Sequence, residues 1–528
     1  MSGIRKALYK EFSKIYIFNL RGDIRKNMLS KGLAGEGENI FENGSMTGIA
    51  ITIFVKNQTH QGECSIQYID IGDNLTTQEK LEKLKYLNSF MNVQTALSII
   101  EPNKYSDWIA QRDESNSDFI PIFDKKKSQK FKLFHSNSLG ISTNRDPWVY
   151  NFSKEILKKN LLVTTSFFNQ QVDLLKAGSI SAKDLVIDLE KISWSDDLRK
   201  KVSRANHIHF DHTKFHEAMY RPFIKQWLYH DRMLIDRPGK LLSLLGANHK
   251  NHVIALSGVG HRSGFSCLMI DCLFGLDTIE KSQCFPFYLY EEVGEDNSNE
   301  LGDLFKSAAD LNASEIRYQR KDGISDEGLQ YFQTAYPSEQ ITKEDIFYYT
   351  YGLLHSEEYR ARYADNLTKE LPRIPCVKKA EDFWVFSKAG SELAHWHLNY
   401  ETIEPYKATL DTGSTAYNQL TAEDFYVEKM KFAKKGEKGT VIYNKRITIK
   451  DIPLEAYEYV VNGKPALEWV MERQGVSTHK DSGIVNDAND WAIETMGNPA
   501  YPLELFLRVI TVSLETMKIV KSLPKLDI

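Results

Sequence analysis

Cysteine is scarce in this 528-residue sequence, and the few cysteines present are scattered. No two of them stand at the CxxC spacing of zinc ribbons and redox motifs, so the sequence implies neither a disulfide framework nor a zinc ribbon. Such usage is typical of the reducing cytoplasm, where we expect the protein to act. The five cysteines are Cys64, Cys267, Cys272, Cys284 and Cys376.

Long apolar runs are missing as well. No segment approaches the roughly 18 apolar residues of a membrane-spanning helix, and the first residues, MSGIRKALYKEF, have no apolar signal-peptide core. We therefore expect no membrane contact. The phosphate-loop pattern G-x-x-x-x-G-K-[ST] and the nucleophile elbow G-x-S-x-G are also absent, so ATP hydrolysis and serine-hydrolase chemistry find no support.

The chain also lacks a strong net charge. The chain has 67 Lys+Arg against 71 Asp+Glu, a net charge of −4, so it is not a nucleic-acid binder by bulk charge. Residues 121–232, however, contain 20 Lys+Arg and 12 Asp+Glu, an excess of eight positive charges. Phosphate contacts need such a local basic face, although a solvated surface with a chance excess of lysine explains the count equally well.

What is present is typical of a packed globular protein, with 42% hydrophobic and 12% aromatic residues. The length predicts two to four domains. Periodicity predicts a helix over 4–12, strands over 15–20, 49–55 and 65–71, and a helix over 77–92. The run IAITIFV at 49–55 has the continuous β-branched character of a buried strand.

From about residue 100 the pattern is mixed, with aromatic-rich strands alternating with helices. KFKLFHS at 130–136 and FYVEKMKFA at 425–433 are predicted strands. A long helix is predicted over 341–363, and Thr342 with Asp345 three residues later resembles a capped start. The sequence therefore predicts a mixed α/β fold.

One run has the spacing of a metal site. His207, His209, Asp211 and His212 form HIHFDH, the H-x-H-x-D-H pattern of dinuclear zinc hydrolases. The apolar strand that should deliver such a motif is missing before it, and later ligands are not evident. We keep a metal-dependent hydrolase as an alternative, beside the simpler interpretation of a polar helix start.

Two other motifs are better explained as turns. GVGHRSG, at 258–264, follows the apolar run HVIALS, but its third glycine is one residue too far for a dinucleotide loop. Asn-Pro-Ala-Tyr, at 498–501, differs by one residue from the Asn-Pro-Pro-Tyr motif with which adenine methyltransferases hold a flipped base. We interpret it as a turn before a terminal helix.

Aromatic and basic residues are interleaved in two polar segments, STNRDPWVYNFS and YRPFIKQWLYHDR. Arginine and asparagine read base edges, and lysine holds phosphate. The same side chains also suit a core with paired charges, so DNA contact and a structural role remain equally open. The candidate DNA-contacting residues are Asn144, Arg145, Trp148, Tyr150, Asn151, Arg221, Lys225, Tyr229 and Arg232, with Lys125, Lys126 and Lys127 as candidate phosphate contacts.

Long segments resemble the C-terminal part of the Type ISP restriction–modification enzymes, in the order in which that family has them. These bacterial enzymes combine a nuclease, a translocase, an adenine methyltransferase and a target-recognition part in one polypeptide. The resemblance covers nearly the whole chain. The matching segments include IYIFNLRGD, GSMTGIAITIFVKN, YIDIGDNLTTQEKL, TNRDPWVYNFS, YRPFIKQWLYHDR, KEDIFYYTYGLLHSEEYRARYADNLTKELPRIP, PLEAYEYVVNGKPALEWVMERQ and YPLELFLRVITVSLETMKIV.

The resemblance implies a division of the chain. Residues 1–75 would supply the last strands of an adenine methyltransferase sheet of the gamma order, 76–99 a helical connector, and 100–528 the target-recognition domain. The run IAITIFV would then expose an unpaired sheet edge.

It also implies a function. The chain would bind duplex DNA and place an adenine for methylation by a catalytic region that it lacks, so S-adenosylmethionine would serve the complete enzyme while this chain holds no cofactor or metal. An N-terminal methyltransferase and translocase polypeptide is an expected partner. An interaction subunit that holds a methyltransferase without reading DNA is the remaining alternative.

Overall fold

The computed structural model describes residues 2–29, 35–87, 97–124, 131–204, 207–246, 250–292 and 318–528. Within them the chain forms helices and small sheets around three hydrophobic clusters. The predicted mixed α/β fold is therefore confirmed. None of the helices in this described part of the chain combines the length and apolar character needed to cross a bilayer.

The N-terminal segment forms a four-stranded sheet with helices beside it. Its elements are α1 (Ser2–Glu11), β1 (Lys14–Arg21), α2 (Ile24–Leu29), β2 (Ile49–Val55), β3 (Ser65–Asp70), α3 (Thr77–Leu87) and β4 (Ser98–Ile100). The strand order is β2-β1-β3-β4, with β1 antiparallel to β2 and parallel to β3. Ile15, Ile17 and Ile66 form a small core of their own, against which α1 packs.

The central part of the chain contains two more four-stranded sheets. Its elements are β5 (Ile120–Pro121), β6 (Ser138–Leu139), α4 (Asp146–Val149), β7 (Tyr150–Asn151), α5 (Lys154–Lys176), α6 (Asp196–Val202), β8 (Phe215–Arg221), β9 (Ile224–Tyr229), α7 (Leu241–Leu245), β10 (Val253–Leu256), β11 (Cys267–Ile270), β12 (Leu273–Phe274), β13 (Gln283–Pro286), β14 (Tyr288–Glu292) and β15 (Tyr318–Asp322).

These two sheets position the segments on which the site depends. One has the order β12-β8-β9-β7, so the short helix α4 and β7 lie next to the β8–β9 hairpin. The other, β11-β10-β13-β6, separates two clusters. Successive side chains of a strand point to opposite faces. Accordingly Val253 and Ala255 belong to one cluster, and Ile254 and Leu256 to the other.

A helical layer follows, built on the close contact of two helices. Its elements are α8 (Asp326–Ala335), α9 (Lys343–His355), α10 (Glu357–Arg362), α11 (Ala364–Lys369), β16 (Arg373–Ile374) and α12 (Ala380–Leu398). A Cβ atom at Gly352 would lie 2.2 Å from the Phe386 carbonyl oxygen, and one at Gly390 would lie 1.8 Å from that of Tyr348. Only glycine allows the backbones of α9 and α12 to approach so closely.

The C-terminal part contains a fourth four-stranded sheet and the last long helix. Its elements are β17 (Thr409–Asp411), β18 (Lys431–Lys434), β19 (Glu437–Ile442), β20 (Thr448–Lys450), β21 (Val460–Val461), β22 (Lys464–Pro465), α13 (Ala466–Arg473), β23 (Val476–Thr478), β24 (Val485–Asp487), α14 (Ala488–Asp490), a π-helix (Trp491–Thr495) and α15 (Tyr501–Ser522). The sheet order is β17-β20-β19-β18, which leaves β18 at an edge. The β23–β24 hairpin lies against the β7 segment.

Some sequence predictions were wrong. Residues 49–55 form the predicted strand, but its side chains are mostly exposed because β2 is the outer strand of its sheet. The helix predicted over 341–363 is two helices, since Ser356 caps the start of α10. The segment 425–433 is extended only from Lys431. The described residues of 130–136 contribute only an isolated bridge from Phe134.

Other predictions are confirmed. The Thr342 hydroxyl accepts from the backbone of Asp345, and the two residues form a capping box at α9. The exposed edge expected for IAITIFV is present, with β2 unpaired on its outer side among the described residues. The N-terminal sheet takes in β4 and so extends beyond residue 75. The division into 1–75, 76–99 and 100–528 stays a prediction.

Candidate functional site

The first predicted contact segment, 142–153, is built around a buried arginine. Arg145 Nη2 lies 2.8 Å from Asp236 Oδ1 and 2.7 Å from Ser195 Oγ, and its other nitrogens donate to backbone carbonyls. Asn144 donates to the second carboxylate oxygen of Asp236. Burial opposes ionisation of Asp236, but the hydrogen bonds and the charge of Arg145 outweigh it and lower the pKa of this carboxyl. Arg145 therefore fixes the loop.

Most aromatic and amide candidates of the two segments are also buried. They are Trp148, Tyr150, Asn151 and Tyr229. Asn151 donates to the Val485 carbonyl at 3.0 Å and so ties the β23–β24 hairpin to β7. The Tyr229 hydroxyl accepts from the backbone of Asp211 at 3.0 Å. These contacts give Arg145, Asn151 and Tyr229 structural roles. DNA contact by the candidates of both segments stays a prediction.

The second segment, 220–232, contains a buried charge network. Lys225 Nζ lies 2.6 Å from Glu401 Oε2, and the hydroxyl of Tyr501 donates to the other oxygen of Glu401 at 2.5 Å. Burial disfavours the charge of Lys225, but the neighbouring acidic groups, Glu401 among them, outweigh it and raise the pKa. Lys225 thus joins β9 to α15. Arg232 is exposed, and its contact with DNA stays a prediction.

Arg221 is the half-buried arginine of this segment. It lies at a bulge in the β8–β9 hairpin, and its guanidinium carbon is 4.1 Å from the ring centre of Tyr220. Its Nη1 donates to the Tyr220 carbonyl at 2.7 Å, and no ion pair is found for it among the described residues. A guanidinium has five N–H donors. Most of the donors of Arg221 therefore remain open to a ligand.

Arg221 lies on the wall of a cleft made of two adjoining cavities, of about 430 and 660 Å³. Helix α4 and the β8–β9 hairpin form one side, and β18, α13 and the β23–β24 hairpin form the other. Residues shared by both cavities mark where they meet: Asp146, Pro147, Tyr150, Tyr220 and His479. The hydroxyl of Tyr150 has no hydrogen-bond partner in the described structure and lies on this wall.

The structure treats the candidate phosphate contacts and the candidate metal site differently. Lys125, Lys126 and Lys127 lie outside the described residues. The metal-site alternative for HIHFDH finds no support in the described residues. His207 pairs with Asp173 at 2.7 Å, and Asp211 caps a short 3₁₀ helix, so the motif does not converge. No cluster of potential metal ligands occurs in the described ranges.

The two turn predictions are confirmed. Residues 258–264 form a turn between β10 and β11, with Gly260 and Gly264 at positive φ. Residues 498–500 form a turn before α15, and Tyr501 begins that helix.

Two residues of the cleft were missed by the sequence analysis. Lys429 and Lys431 line the larger cavity and are exposed. They flank the buried Met430 in the segment KMKFAKK. Alternation of lysine with apolar residues is the pattern of a strand with one solvent-exposed face. This pattern is the signal that could have identified the two lysines.

Comparison with known proteins explains the architecture. The family described as the Type ISP C-terminal specificity domain matches residues 132–505. The chain belongs to this family. Among curated proteins, none matches the sequence.

Solved Type ISP structures match the specificity domain together with its N-terminal sheet. The ATP-dependent Type ISP restriction-modification enzyme LlaBIII bound to DNA matches with a TM-score of 0.83 and 35% identity, over 100% of this chain and 32% of that one. A nuclease-deletion mutant of the Type ISP enzyme LlaGI with a DNA substrate mimic matches with a TM-score of 0.82 and 36% identity, over 100% and 45%.

A DrdV–DNA complex solved by cryo-electron microscopy matches with a TM-score of 0.77 and 28% identity, over 99% of this chain and 49% of that one. The chain thus spans about a third to about a half of the length of these proteins.

Proposed function

We propose that this Type ISP specificity chain is a DNA target-recognition module. It binds duplex DNA and prefers one sequence, so that an adenine in that sequence is placed for methylation. The observation that carries the proposal is the match over 100% of the chain to a Type ISP enzyme bound to DNA. A family model over 132–505, named for specificity, supports it.

The geometry of the cleft supports the same function. Protein–DNA recognition separates phosphate contacts, which position the duplex, from contacts to base edges, which specify sequence. Arg221 offers open guanidinium donors, and bidentate arginine contact with guanine is the commonest base-specific contact in the major groove. Stacking on Tyr220 holds this guanidinium in place. We propose Arg221 as a base-reading residue.

The chemical step is assigned to other parts of the enzyme. We propose that S-adenosylmethionine and the adenine-specific catalytic residues belong to a methyltransferase region that pairs with the open edge of β2, where Ile51 and Ile53 are exposed. The specificity chain itself holds no cofactor in this proposal. Its free cysteines agree with action in the reducing cytoplasm.

Fluorescence anisotropy with duplex DNA across a salt series tests the proposal. Phosphate contacts predict that the logarithm of the binding constant falls linearly with that of the salt concentration. Selection from a randomised duplex pool should then enrich one sequence. Salt-sensitive binding with no sequence enriched would contradict target recognition.

The interaction-subunit alternative predicts a different outcome. The purified chain would bind no duplex even at low salt, yet would retain an N-terminal methyltransferase fragment of a Type ISP enzyme in a pull-down. Duplex binding by the chain alone excludes that alternative. Capture of the fragment together with duplex binding agrees with both the recognition function and the β2 contact.

A further inference from the structure

Two lysines at the start of the edge strand β18 line the larger cavity of the cleft. Lys431 pairs with Ile442 of β19, and Lys429 precedes β18 by two residues. Met430, between them, is 3% exposed and packs in the core, whereas both lysines are exposed. Both side chains line the same cavity, so their ammonium groups border one wall of the cleft.

No acidic side chain neutralises Lys429 or Lys431 in the described part of the chain. In the described part of the chain neither forms an ion pair, whereas two carboxylates of the same cavity are already matched. Glu468 pairs with Lys438 at 3.2 Å, and Glu472 pairs with Arg473 at 3.0 Å and with Lys464. Glu428 and Asp146 also line this cavity and offset part of the charge of the lysines.

We propose that Lys429 and Lys431 contact phosphates of one DNA strand that lies along this wall of the cleft. The inference rests on the proposed function and adds the backbone contact that sets the position of the duplex relative to Arg221. A DNA strand carries one phosphate per about 3.4 Å of helix axis, so a strand that runs along this wall presents a phosphate to each lysine.

Edge strands offer a competing explanation for the same lysines. Lysine on an unpaired edge deters pairing with another chain, and β18 is the edge of its sheet. That role requires no DNA. It predicts that loss of both lysines increases self-association and leaves DNA affinity and its salt dependence unchanged.

The test compares the wild-type chain with Lys429→Gln/Lys431→Gln in anisotropy titrations from about 50 to 200 mM salt, on the selected duplex and on an unrelated one. Each lost phosphate contact lowers the slope of log K against log salt by about 0.9, so the double variant should lose about 1.8. The affinity ratio of wild type to variant should then be about tenfold larger at the low-salt end than at the high-salt end. Both duplexes should be weakened alike, because phosphate contacts do not read sequence.

Lys388→Gln/Lys518→Gln is the matched control, since these side chains are 80% and 76% exposed on α12 and α15, away from the cleft. It should leave the slope unchanged. Lys429→Arg/Lys431→Arg keeps both charges and should restore most of the slope.

The outcomes separate the two hypotheses. An unchanged slope in the glutamine variant, or an equal change in the control, would overturn the phosphate contact and leave the recognition function standing. A wild-type chain that binds no duplex at low salt would overturn the recognition function and this inference together.

Discussion

Arg145 and Asp236 form an ion pair inside the specificity domain, with Nη2 and Oδ1 2.8 Å apart and side chains that are 0% and 4% exposed. The pair joins the loop before α4 to the segment after the β8–β9 hairpin. The loop before α4 lines the cleft. The ion pair therefore holds this part of the cleft wall in place.

Replacement of Arg145 by methionine should destabilise the domain strongly. Asp236 would be left as a buried charge without its partner, and such a loss costs about 3–5 kcal/mol. The measurement is the free energy of unfolding from urea titrations followed by tryptophan fluorescence. Arg446→Met is the control, because Arg446 pairs with Asp424 at 3.3 Å while 48% exposed, and exposed pairs contribute about 0–1 kcal/mol. Equal costs in the two variants would contradict the structural role of Arg145.

Arg221→Lys should relax sequence preference without weakening the phosphate contacts. Lysine keeps the charge but cannot donate two parallel hydrogen bonds to guanine, which are worth about 1–3 kcal/mol of discrimination. We expect the preference for guanine at one position of the selected duplex to fall by about 5- to 150-fold. The slope of log K against log salt should stay as in the wild type.

The measurement for Arg221→Lys is repeated selection from the randomised duplex pool. Arg262→Lys serves as the control, since Arg262 is exposed in the β10–β11 turn and does not line the cleft. If the Arg221→Lys variant kept the base preference of the wild type at every position, or if the control lost the same preference, base reading by Arg221 would be ruled out.

Local features of the fold were predictable from the sequence, and long-range partners were not. The capping box at Thr342 involves residues three positions apart, so its pattern is visible in the chain. Arg145 is the opposite case, because the carboxylate that neutralises it lies 91 residues away. Residue type alone predicted a DNA contact there. The exposure of β2 could likewise not be predicted from the sequence, since IAITIFV has the composition of a strand buried on both faces.

Asp107 should make stability depend on acidic pH. Its side chain is 0% exposed and pairs with Arg5, Arg112 and Lys369 at 2.7, 2.8 and 3.2 Å. Burial alone would raise its pKa, but the hydrogen bonds and charges of Arg112 and Lys369 lower it to about 2. An unfolded aspartate titrates near 3.9. The stabilisation is therefore complete above about pH 4 and is lost as the pH falls towards 2.

Asp107→Asn should accordingly cost about 1–2 kcal/mol at neutral pH, a value reduced from the full shift because the cationic partners are partly exposed. The difference from wild type should shrink as unfolding is measured at decreasing pH below about 4. Asp527→Asn, which breaks an exposed pair with Lys378, should cost less than about 1 kcal/mol throughout. If the cost of Asp107→Asn grew on acidification, its pH dependence would be opposite to that expected from a lowered pKa. Such a result would refute the stabilising role of the Asp107 ion pairs.

The open edge of β2 should make the isolated chain self-associate. Ile51, Ile53 and Val55 are 44%, 42% and 39% exposed and alternate along one face of the outer strand. An apolar, unpaired edge favours pairing with another chain. Ile51→Lys/Ile53→Lys should therefore reduce association in sedimentation velocity over a concentration series, with a stability change within about 0.5 kcal/mol, as is usual at exposed positions.

The control for this edge is Leu162→Lys/Val163→Lys on α5, where the side chains are 47% and 49% exposed but the backbone is hydrogen-bonded within the helix. If association depends on the strand edge, the helix variant should behave as the wild type does, because it removes as many apolar side chains and no edge. Equal reductions in the two variants would assign association to exposed apolar area in general. A wild-type chain that stays monomeric at all concentrations would show that the edge is protected without a partner.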